Sequence, residues 1–454
     1  MALLKFLQDP IGGQRENDGA FSVPSRSDSD PFFYTVTKSQ KLSDFLSYFT
    51  FFSSFQYKYL RQWMDITLTE PEKRIGTSMK LQETFIVYLV ETRVKDPTMK
   101  FIGEPTCALW RRYSEFELLR NYLDIMYPSI IVPPLPEKRM SYAWQNVSSD
   151  KFDPDYIERR RSGLENYLVR IAMHPTLSKD EMFMAFLRQE EGWKESLYAT
   201  DYYSKADSRL KAISASYRIR KADRTFDELK NYANDLQTNT SNVLRIRAKM
   251  ADSLYGIHKV HANYGRVFSE WSGIEKEMGD GLQRAGHYMD VFSSAIDGIL
   301  EDEEQFADQI KEYYAYGDAL RTVCRKQELI QLKLEKAEDA LSYKNTQREQ
   351  STGKHGFSFS GMKSRIFGGD TPEVREQKLQ KIEEEIDECE KQLKLVNEEA
   401  QLFTELALAD IERFRKQKVK DIKESCTNYA VMQVEKCKKS IQIWQNAREC
   451  FLKM

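Results

Sequence analysis

The chain has 454 residues, which is long for one ordinary hydrophobic core and predicts two domains or more. Its 68 Lys and Arg residues nearly balance its 70 Asp and Glu residues, so any attraction to an anionic partner must come from local basic clusters. A charged fraction of 30% with only 13 Pro and 20 Gly favours long charged helices. No apolar run reaches the roughly 18 to 20 residues that a membrane-spanning helix needs.

The six cysteines are scattered without a C-x-x-C pair, and no cleavable signal peptide precedes them. This usage is typical of reduced thiols in the cytosol.

Residues 1–59 form a tail with two parts. The first is rich in Gly, Ser, Asp and Pro, as in GGQRENDGAFSVPSRSDSDP, and is typical of a disordered leader. The second, FLSYFTFFSSFQYKYL at residues 45–60, is aromatic but interrupted by Ser and Thr. We assign no fold to the tail, and contact with lipid, contact with a partner and no function at all remain open for its aromatic part.

Strand signals begin near residue 60. Three short runs rich in apolar, β-branched or aromatic residues predict strands at 65–68, 85–90 and 107–113.

Three helices with recognisable start signals should follow these strands. The signals are Ser114 with Glu117, Asp153 with Pro154, and Ser178 with Glu181. The second helix should end near His174, because Pro175 disfavours helical geometry in the residue before it. Residues 60–190 therefore predict a small α+β domain with its strands first.

Residues 191–221 read as a linker and residues 222–454 as an all-helical domain. The sequence has no proline between Pro175 and Pro372, which permits very long helices. Clustered glycines predict a break near 271–281, and the Gly- and Ser-rich stretch STGKHGFSFSGMKSRIFGGD predicts a loop before a last helix that starts at Thr371 and Pro372. The expected result is a bundle of three long helices with one long loop at its tip.

The last helix carries a heptad-like seam of apolar or small residues at alternating steps of three and four. The seam comprises Leu379, Ile382, Ile386, Cys389, Leu393, Val396, Ala400, Phe403, Ala407, Ile411 and Phe414. A long bundle with an apolar face beyond its own intrachain contacts needs a partner to cover it, so we expect a dimer.

One group of basic motifs points to phosphate recognition: RRYSEF at 111–116, PPLPEK at 133–138 and ERRR at 158–161. A phosphorylated headgroup needs several cations that converge from different elements, and here a strand end, a loop and a helix each supply one. Arg160 borders the apolar stripe of its helix, so it can face a cleft. Tyr113 offers a ring on which a sugar-like inositol can pack.

These motifs, in this order, resemble the phox-homology (PX) domain of sorting nexins. The resemblance implies binding of phosphatidylinositol 3-phosphate with four site residues. Arg112 would grip the 3-phosphate, Tyr113 would pack on the inositol ring, Lys138 would contact the 1-phosphate, and Arg160 would bond the 4- and 5-hydroxyls. Phe116 would be the structural aromatic residue behind the site.

Further segments, among them GLENYLVRIAMHP, KADSRLKA and YAVMQVEKCKKSIQIW, resemble the sorting nexins that join a PX domain to a C-terminal BAR domain. The resemblance covers residues 60–454. It implies an α+β PX domain, with a three-stranded antiparallel sheet plus helices, followed by an all-α BAR domain of three long helices in a dimeric coiled-coil-like bundle.

The same resemblance implies a peripheral membrane protein of the cytoplasm and the cytoplasmic face of early or recycling endosomes. It would act in endosomal sorting, recycling and autophagy-related transport by sensing or forming membrane tubules. The implied partners are phosphatidylinositol 3-phosphate membranes, cargo receptors, and either another PX-BAR sorting nexin in a heterodimer or a second copy in a homodimer; no nucleic acid is expected.

A basic amphipathic segment lies in the linker. Its apolar and basic positions recur at helical spacing and include Lys205, Arg209, Leu210, Ile213 and Tyr217. Such a helix suits the headgroup layer of a membrane, and the alternative is a linker helix packed on the bundle.

Signals for catalysis are absent. The sequence has no phosphate loop, no G-x-S-x-G elbow and no H-E-x-x-H motif, and His258 and His261 have no carboxylate at metal-ligand spacing. The acidic run at 301–304 reads as a solvated helix face. We therefore expect no enzyme, no cofactor and no metal; the rival to the membrane interpretation is a coiled-coil scaffold or tether whose PX-like domain does not bind lipid.

Overall fold

The computed structural model describes residues 60–62, 64–78, 81–95, 105–138, 152–204, 219–352 and 372–453. Three predictions concern residues wholly or mostly outside these ranges: the tail before residue 60, the tip loop at 351–370, of which only residues 351 and 352 are described and end α6, and the basic linker helix. The residues of that linker helix are Lys205, Arg209, Leu210, Ile213 and Tyr217.

The first part of the described chain forms a three-stranded antiparallel sheet in the order β1-β2-β3. The strands are β1 Met64–Ser78, β2 Leu81–Val94 and β3 Thr106–Arg112. The three predicted strands are confirmed, but β1 and β2 extend well past the predicted runs. Their polar ends still pair through backbone hydrogen bonds, which do not depend on an apolar side-chain pattern.

Helices cover one face of this sheet. They are α1 Tyr113–Met126, α2 Pro154–Ala172, α3 Glu181–Arg188 and α4 Trp193–Ala199, with 3-10 turns at Leu60–Gln62 and Leu177–Lys179. Their apolar sides meet the sheet in one core, where Tyr88, Phe116 and Phe186 are fully buried. This core runs from Leu60 to Tyr202, while the domain boundaries at 60–190 and 191–221 stay predictions.

The start signal of α2 is confirmed. The Asp153 carboxylate accepts hydrogen bonds from the backbone N–H groups of Asp155 and Tyr156, and Pro154 occupies the first helical position. The helix ends at Ala172, as the proline at position 175 predicts.

The predicted capping box of α1 is wrong. The helix starts at Tyr113 with Arg112 at the N-cap position, and the Glu115 carboxylate accepts the Arg112 backbone N–H at 2.7 Å. Ser114 and Glu117 lie inside the helix because α1 follows β3 without a loop, a junction that spacing alone did not reveal.

The predicted capping box of α3 is wrong as well. Ser178 belongs to a 3-10 turn, and Asp180 caps the helix by accepting the Phe183 backbone N–H at 2.8 Å. Its other carboxylate oxygen accepts the Tyr127 hydroxyl at 2.8 Å, so this cap also holds the loop after α1.

The second part of the described chain is helical. It consists of α5 Arg224–Ser272, α6 Gly279–Thr352 and α7 Pro372–Leu452. The predicted break near 271–281 and the restart at Pro372 are both confirmed. Helix α6 packs against α5 and α7, so three long helices form the predicted bundle. Across the described ranges, no helix combines the length and the apolar character of a membrane span.

The predicted seam of α7 faces the bundle. Six of its members are buried, and the other five are half-buried. The buried ones are Ile386, Val396, Phe403, Ala407, Ile411 and Phe414.

The prediction that the acidic run at 301–304 forms a solvated helix face is wrong, because two of its four residues are buried. Glu303 is fully buried and Glu304 is nearly so. Arg247 of α5 forms an ion pair with Glu304, and the Lys436 Nζ of α7 lies 3.5 Å from Glu303. Cations from the neighbouring helices compensate these carboxylates, which no local pattern in the run predicted.

The two parts of the chain are packed together around Asp410 of α7. One Asp410 oxygen accepts the backbone N–H of Ile131 at 2.8 Å, and the other lies 2.8 Å from His174 Nε2. The Ile131 side chain is fully buried in the apolar core of the bundle, beside Phe226 and Phe403. The loop after α1 and the end of α2 are therefore fixed to α7.

Buried ion pairs extend this contact along α2. Arg170 donates to both carboxylate oxygens of Glu312 at 2.9 Å and also pairs with Asp421. Arg159 pairs with Glu304 farther along the helix. Because α2 also carries one face of the candidate site, these bonds set the direction in which that site faces relative to the bundle.

Candidate functional site

The two arginines at the end of β3 have opposite environments, since successive residues of a strand point to opposite faces. Arg111 is only 1% exposed. Its guanidinium donates to the carbonyl oxygens of Phe186, Gln189 and Glu190, which end α3. Burial lowers the pKa of Arg111 to about 10, so it remains cationic at neutral pH. Arg111 is therefore a structural residue that satisfies the open carbonyls of a helix end.

Arg112 points to the other face of the sheet and is half-buried. Its guanidinium lies over the ring of Phe85, 4.3 Å from the ring centroid. The residue is also the N-cap of α1, where the helix dipole and the first backbone N–H groups favour an anion. Two independent features thus favour negative charge at this position.

Tyr113 connects the strand end to the PPLPEK loop. Its hydroxyl donates to the Pro136 carbonyl at 2.7 Å, and its ring lies 4.8 Å from the guanidinium of Arg160. Burial, together with the negative charge of Glu117, raises the pKa of Tyr113 to about 12, so the hydroxyl stays protonated and keeps donating.

Gly163 of α2 allows that loop to approach the helix. A Cβ atom at this position would lie 2.8 Å from the Pro136 Cβ, closer than two carbons pack. The close contact between Gly163 and Pro136 brings the loop, and with it Lys138, against the helix that carries Arg160.

Lys138 is the most exposed member of the group, with 63% of its side chain accessible. Its Nζ lies 2.7 Å from a Glu117 carboxylate oxygen and 5.8 Å from the Tyr113 ring centroid. An exposed ion pair of this kind is worth only about 0 to 1 kcal/mol, so an incoming phosphate can replace the carboxylate.

Arg160 is held by rings and by the loop. Its guanidinium lies 4.3 Å from the Tyr156 ring centroid, and its Nη2 donates to the Lys138 carbonyl at 2.9 Å. Within the part of the chain that the structure describes, no carboxylate pairs with Arg160. The prediction that this residue borders the buried face is confirmed, because it is half-buried.

The structure therefore brings Tyr113, Lys138 and Arg160 into mutual contact. Arg112 precedes Tyr113 in the chain, and its side chain lies on the face of the sheet opposite to Arg111 and Tyr88. Phe116 is fully buried, with its ring edge-to-face on Phe186 at 5.0 Å, which places it in the core behind the site. The five predicted contact residues of the linker helix lie outside the described residues.

Two aromatic residues of the site escaped the sequence analysis. Tyr156 packs on Arg160 and its hydroxyl donates to the Lys138 carbonyl at 2.5 Å. Its position four residues before Arg160 puts both on one helix face, a signal that was available. Phe85 lies under Arg112, but only the pairing register of β2 and β3 reveals that proximity.

This arrangement can bind an anion. Apart from Glu117, which pairs with Lys138, the polar side chains described here are cations and tyrosines from a strand end, a loop and a helix. Among the described residues, no group of three or more His, Cys, Asp or Glu side chains is placed to hold a metal ion. Cationic and tyrosine side chains are suited to hydrogen bonds with phosphate and hydroxyl oxygens.

Comparisons with known proteins agree with this geometry. The PX domain family matches residues 100–190, the segment that holds the four predicted site residues. Sorting nexin-4 of Homo sapiens is 55% identical over 396 residues, which cover 86% of this chain and 87% of that protein. Sorting nexin-30 of Mus musculus is 23% identical over 382 residues, covering 84% of this chain and 76% of that protein.

A solved structure has the same fold. The cryo-EM structure of the SNX-BAR Mvp1 tetramer aligns with a TM-score of 0.53 at 17% identity, covering 84% of this chain and 99% of that chain. The sheet with its helices is thus a PX fold, and the long helices correspond to the BAR-type part of such proteins. The chain therefore belongs to the sorting nexins of the PX-BAR class, proteins with a membrane-associated sorting role.

Proposed function

We propose that the protein binds phosphatidylinositol 3-phosphate on endosomal membranes through its PX domain and dimerises through its BAR domain. The observation that carries the proposal is the convergence of Tyr113, Lys138 and Arg160 from a strand end, a loop and a helix, with the cation Arg112 next to Tyr113 in the chain. Such convergence matches a ligand with several separated oxygen groups.

Each site residue has a role that its surroundings support. Arg112, at the start of α1, binds the 3-phosphate with its planar fork. Tyr113 packs on the inositol ring, and the mobile Lys138 contacts the 1-phosphate. Arg160 donates to the 4- and 5-hydroxyls, whose oxygens are neutral acceptors suited to an arginine fixed between two tyrosine rings.

Dimerisation is supported by apolar side chains that the single chain leaves exposed. On α5 they recur at heptad-like spacing as Ile246, Met250, Ile257, Val260, Tyr264, Val267 and Trp271. On α7 they are Val431, Val434, Ile441, Trp444 and Phe451. Two such stripes are typical of helices that bury an apolar face against a second chain, either a second copy or another PX-BAR sorting nexin.

A dimer would present two PX sites on one rigid body. Linking two weak sites raises the effective concentration of the second after the first has bound. The protein would thereby concentrate on tubular early or recycling endosomes, where it would sense or form tubules, sort cargo receptors and act in autophagy-related transport. In this proposal the protein is an adaptor without catalytic activity.

The lipid site is tested by sedimentation with phosphatidylcholine vesicles that contain or lack phosphatidylinositol 3-phosphate. We expect Arg112→Ala to weaken the lipid-dependent binding by about tenfold or more, because a charge-assisted bond to phosphate is lost. Arg224→Ala is the control, since its side chain is 92% exposed on the bundle. Equal binding by the wild type and Arg112→Ala would contradict the proposal and favour the scaffold or tether.

The dimer is tested by light scattering of the purified chain. We expect Trp444→Glu to shift the mass toward the monomer, because it puts a charge into the apolar stripe of α7. Tyr343→Glu is the control, since Tyr343 is 62% exposed and lies on α6, outside both stripes. A wild-type chain that is monomeric both alone and with other PX-BAR sorting nexins would contradict the BAR assignment.

A further inference from the structure

We propose that Phe85 and Gly76 are positioning residues for Arg112. In this inference the Phe85 ring supports the guanidinium, and Gly76 leaves the space that the ring occupies. The inference rests on the proposed function and adds to it a part of the phosphate site that lies on the β1–β2 hairpin, outside the three sequence motifs.

The pairing of the strands puts Phe85 on the face of Arg112. Arg112 of β3 lies opposite Val87 of β2, and Phe85 precedes Val87 by two residues. Residues two apart on a strand share a face of the sheet, so the ring and the guanidinium lie on the same side. The separation of 4.3 Å between the Arg112 Cζ and the ring centroid is well inside the range of a cation–π contact.

The close approach of the Phe85 ring to the backbone of β1 requires glycine at position 76. A Cβ atom at position 76 would lie 2.7 Å from the Phe85 Cε1, whereas carbon atoms pack at about 3.5 to 4.0 Å. A glycine within a strand is unfavourable by itself, so its presence where a ring packs on the backbone has a reason. β1, β2 and β3 thus contribute Gly76, Phe85 and Arg112 to one stack.

The ring suits a phosphate-binding arginine better than a carboxylate would. A ring holds the guanidinium by its flat face and uses none of its N–H donors, which lie in the plane of the fork. A carboxylate would take two of those donors and cancel the charge. Restricting a flexible side chain before the ligand arrives also reduces the entropy that binding must otherwise remove.

The test measures binding of the full-length chain to phosphatidylcholine vesicles with and without phosphatidylinositol 3-phosphate. We expect Phe85→Leu to bind the lipid about 3- to 30-fold more weakly. Phe85→Tyr keeps the ring face and should bind within about twofold of the wild type. Gly76→Ala leaves Phe85 chemically intact but displaces its ring, so it should weaken binding in the same direction. Thermal unfolding of each variant shows whether the fold is retained.

Trp110→Leu is the matched control. The Arg74 guanidinium lies over the Trp110 ring at 4.5 Å, on the same face of the same sheet, but the proposal gives that pair no role. We expect this variant to bind like the wild type. An equal loss in Trp110→Leu and Phe85→Leu would overturn the inference, because the loss would then belong to the sheet as a whole.

A double-mutant cycle separates positioning from direct lipid contact. If Phe85 acts through Arg112, Phe85→Leu adds no further loss in an Arg112→Ala background. Additive losses, or wild-type binding by Phe85→Leu, would overturn the inference. Wild-type binding by Arg112→Ala alone would instead contradict the proposed lipid site, so the two failures are distinguishable.

Discussion

Helix α2 carries three consecutive arginines that differ in what holds them. Arg159 pairs with Glu304 of the bundle, Arg160 lies on two tyrosine rings, and Arg161 pairs with Glu158 and also donates to the Leu68 carbonyl. Since each residue turns the helix by about 100°, three neighbours reach three different surroundings.

Helix α2 has one face packed on the bundle and one face at the candidate site, and the two faces hold arginine side chains in different ways. On the bundle face, carboxylates from α6 and α7 pair with Arg159 and Arg170 and neutralise them. On the site face, aromatic rings hold Arg160 without neutralising it. An arginine fixed by carboxylates holds the fold together, whereas one fixed by rings keeps its charge for a ligand.

The largest effect should come from the bundle face. We expect Arg170→Ala to lower the free energy of unfolding by about 3 kcal/mol, because it leaves the largely buried carboxylates of Glu312 and Asp421 without their cation. Arg224→Ala, which breaks an exposed pair with Glu228, should change stability by less than about 1 kcal/mol. Urea unfolding measures both, and an equally small loss in the two variants would mean that the buried ion pairs of Arg170 do not hold the fold together.

The next largest effect should distinguish the adjacent residues Arg159 and Arg160, one of which affects stability and the other lipid binding. We expect Arg160→Ala to weaken binding to phosphatidylinositol 3-phosphate vesicles about tenfold with little change in stability. Arg159→Ala should lower the melting temperature and leave the lipid affinity within about twofold, because its partner Glu304 belongs to the bundle. The opposite result, with binding lost in Arg159→Ala alone, would contradict the assignment of the two faces.

A third prediction concerns pH at the junction of the two parts. His174 is buried, and its Nδ1 accepts the backbone N–H groups of Thr176 and Leu177, while its Nε2 faces Asp410. Burial lowers the pKa of His174 below its usual 6.5; the negative charge of Asp410 opposes this lowering, and the positive charge of Arg413 adds to it. Protonation of Nδ1 would also place an N–H donor against the two backbone N–H groups that it accepts.

Below pH 6.5 the unfolded chain then binds more protons at this residue than the folded chain does. Its contribution to stability is therefore complete above pH 6.5 and decreases as the pH falls below that value. Melting curves between pH 7.5 and 5.5 should show a smaller dependence on pH in His174→Asn than in the wild type. An identical dependence in both proteins would rule out His174 as the source.

The smallest effect should come from Glu117, which pairs with Lys138 at the rim of the site. We expect Glu117→Gln to tighten lipid binding about two- to fivefold, because it removes a carboxylate that competes with phosphate for the lysine. Glu228→Gln, which alters an exposed ion pair on the bundle, is the control and should leave the affinity unchanged. Weaker binding by Glu117→Gln would show that the carboxylate orients Lys138 and does not compete.

The parts of this fold that follow from local rules were predictable. Runs rich in apolar, β-branched or aromatic residues predicted the three strands, proline with Asp153 predicted the start of α2, and the heptad seam predicted the inner face of α7. Both capping boxes were misplaced, because a Ser-x-x-Glu spacing recurs by chance and the backbone selects among several possible caps, as Asp180 shows.

The sequence by itself thus determined most of the elements, their order and the three motifs that carry the candidate site, since these depend on neighbours within a few residues; helix α4 was not among the predicted elements. Only the tertiary structure decided that Arg111 is buried against the end of α3, that Phe85 lies under Arg112, and that Glu303 is buried among cations. The physical reason is that strand register and helix packing join residues far apart in the chain, and the free energy of burying a charge depends on partners that local periodicity does not specify.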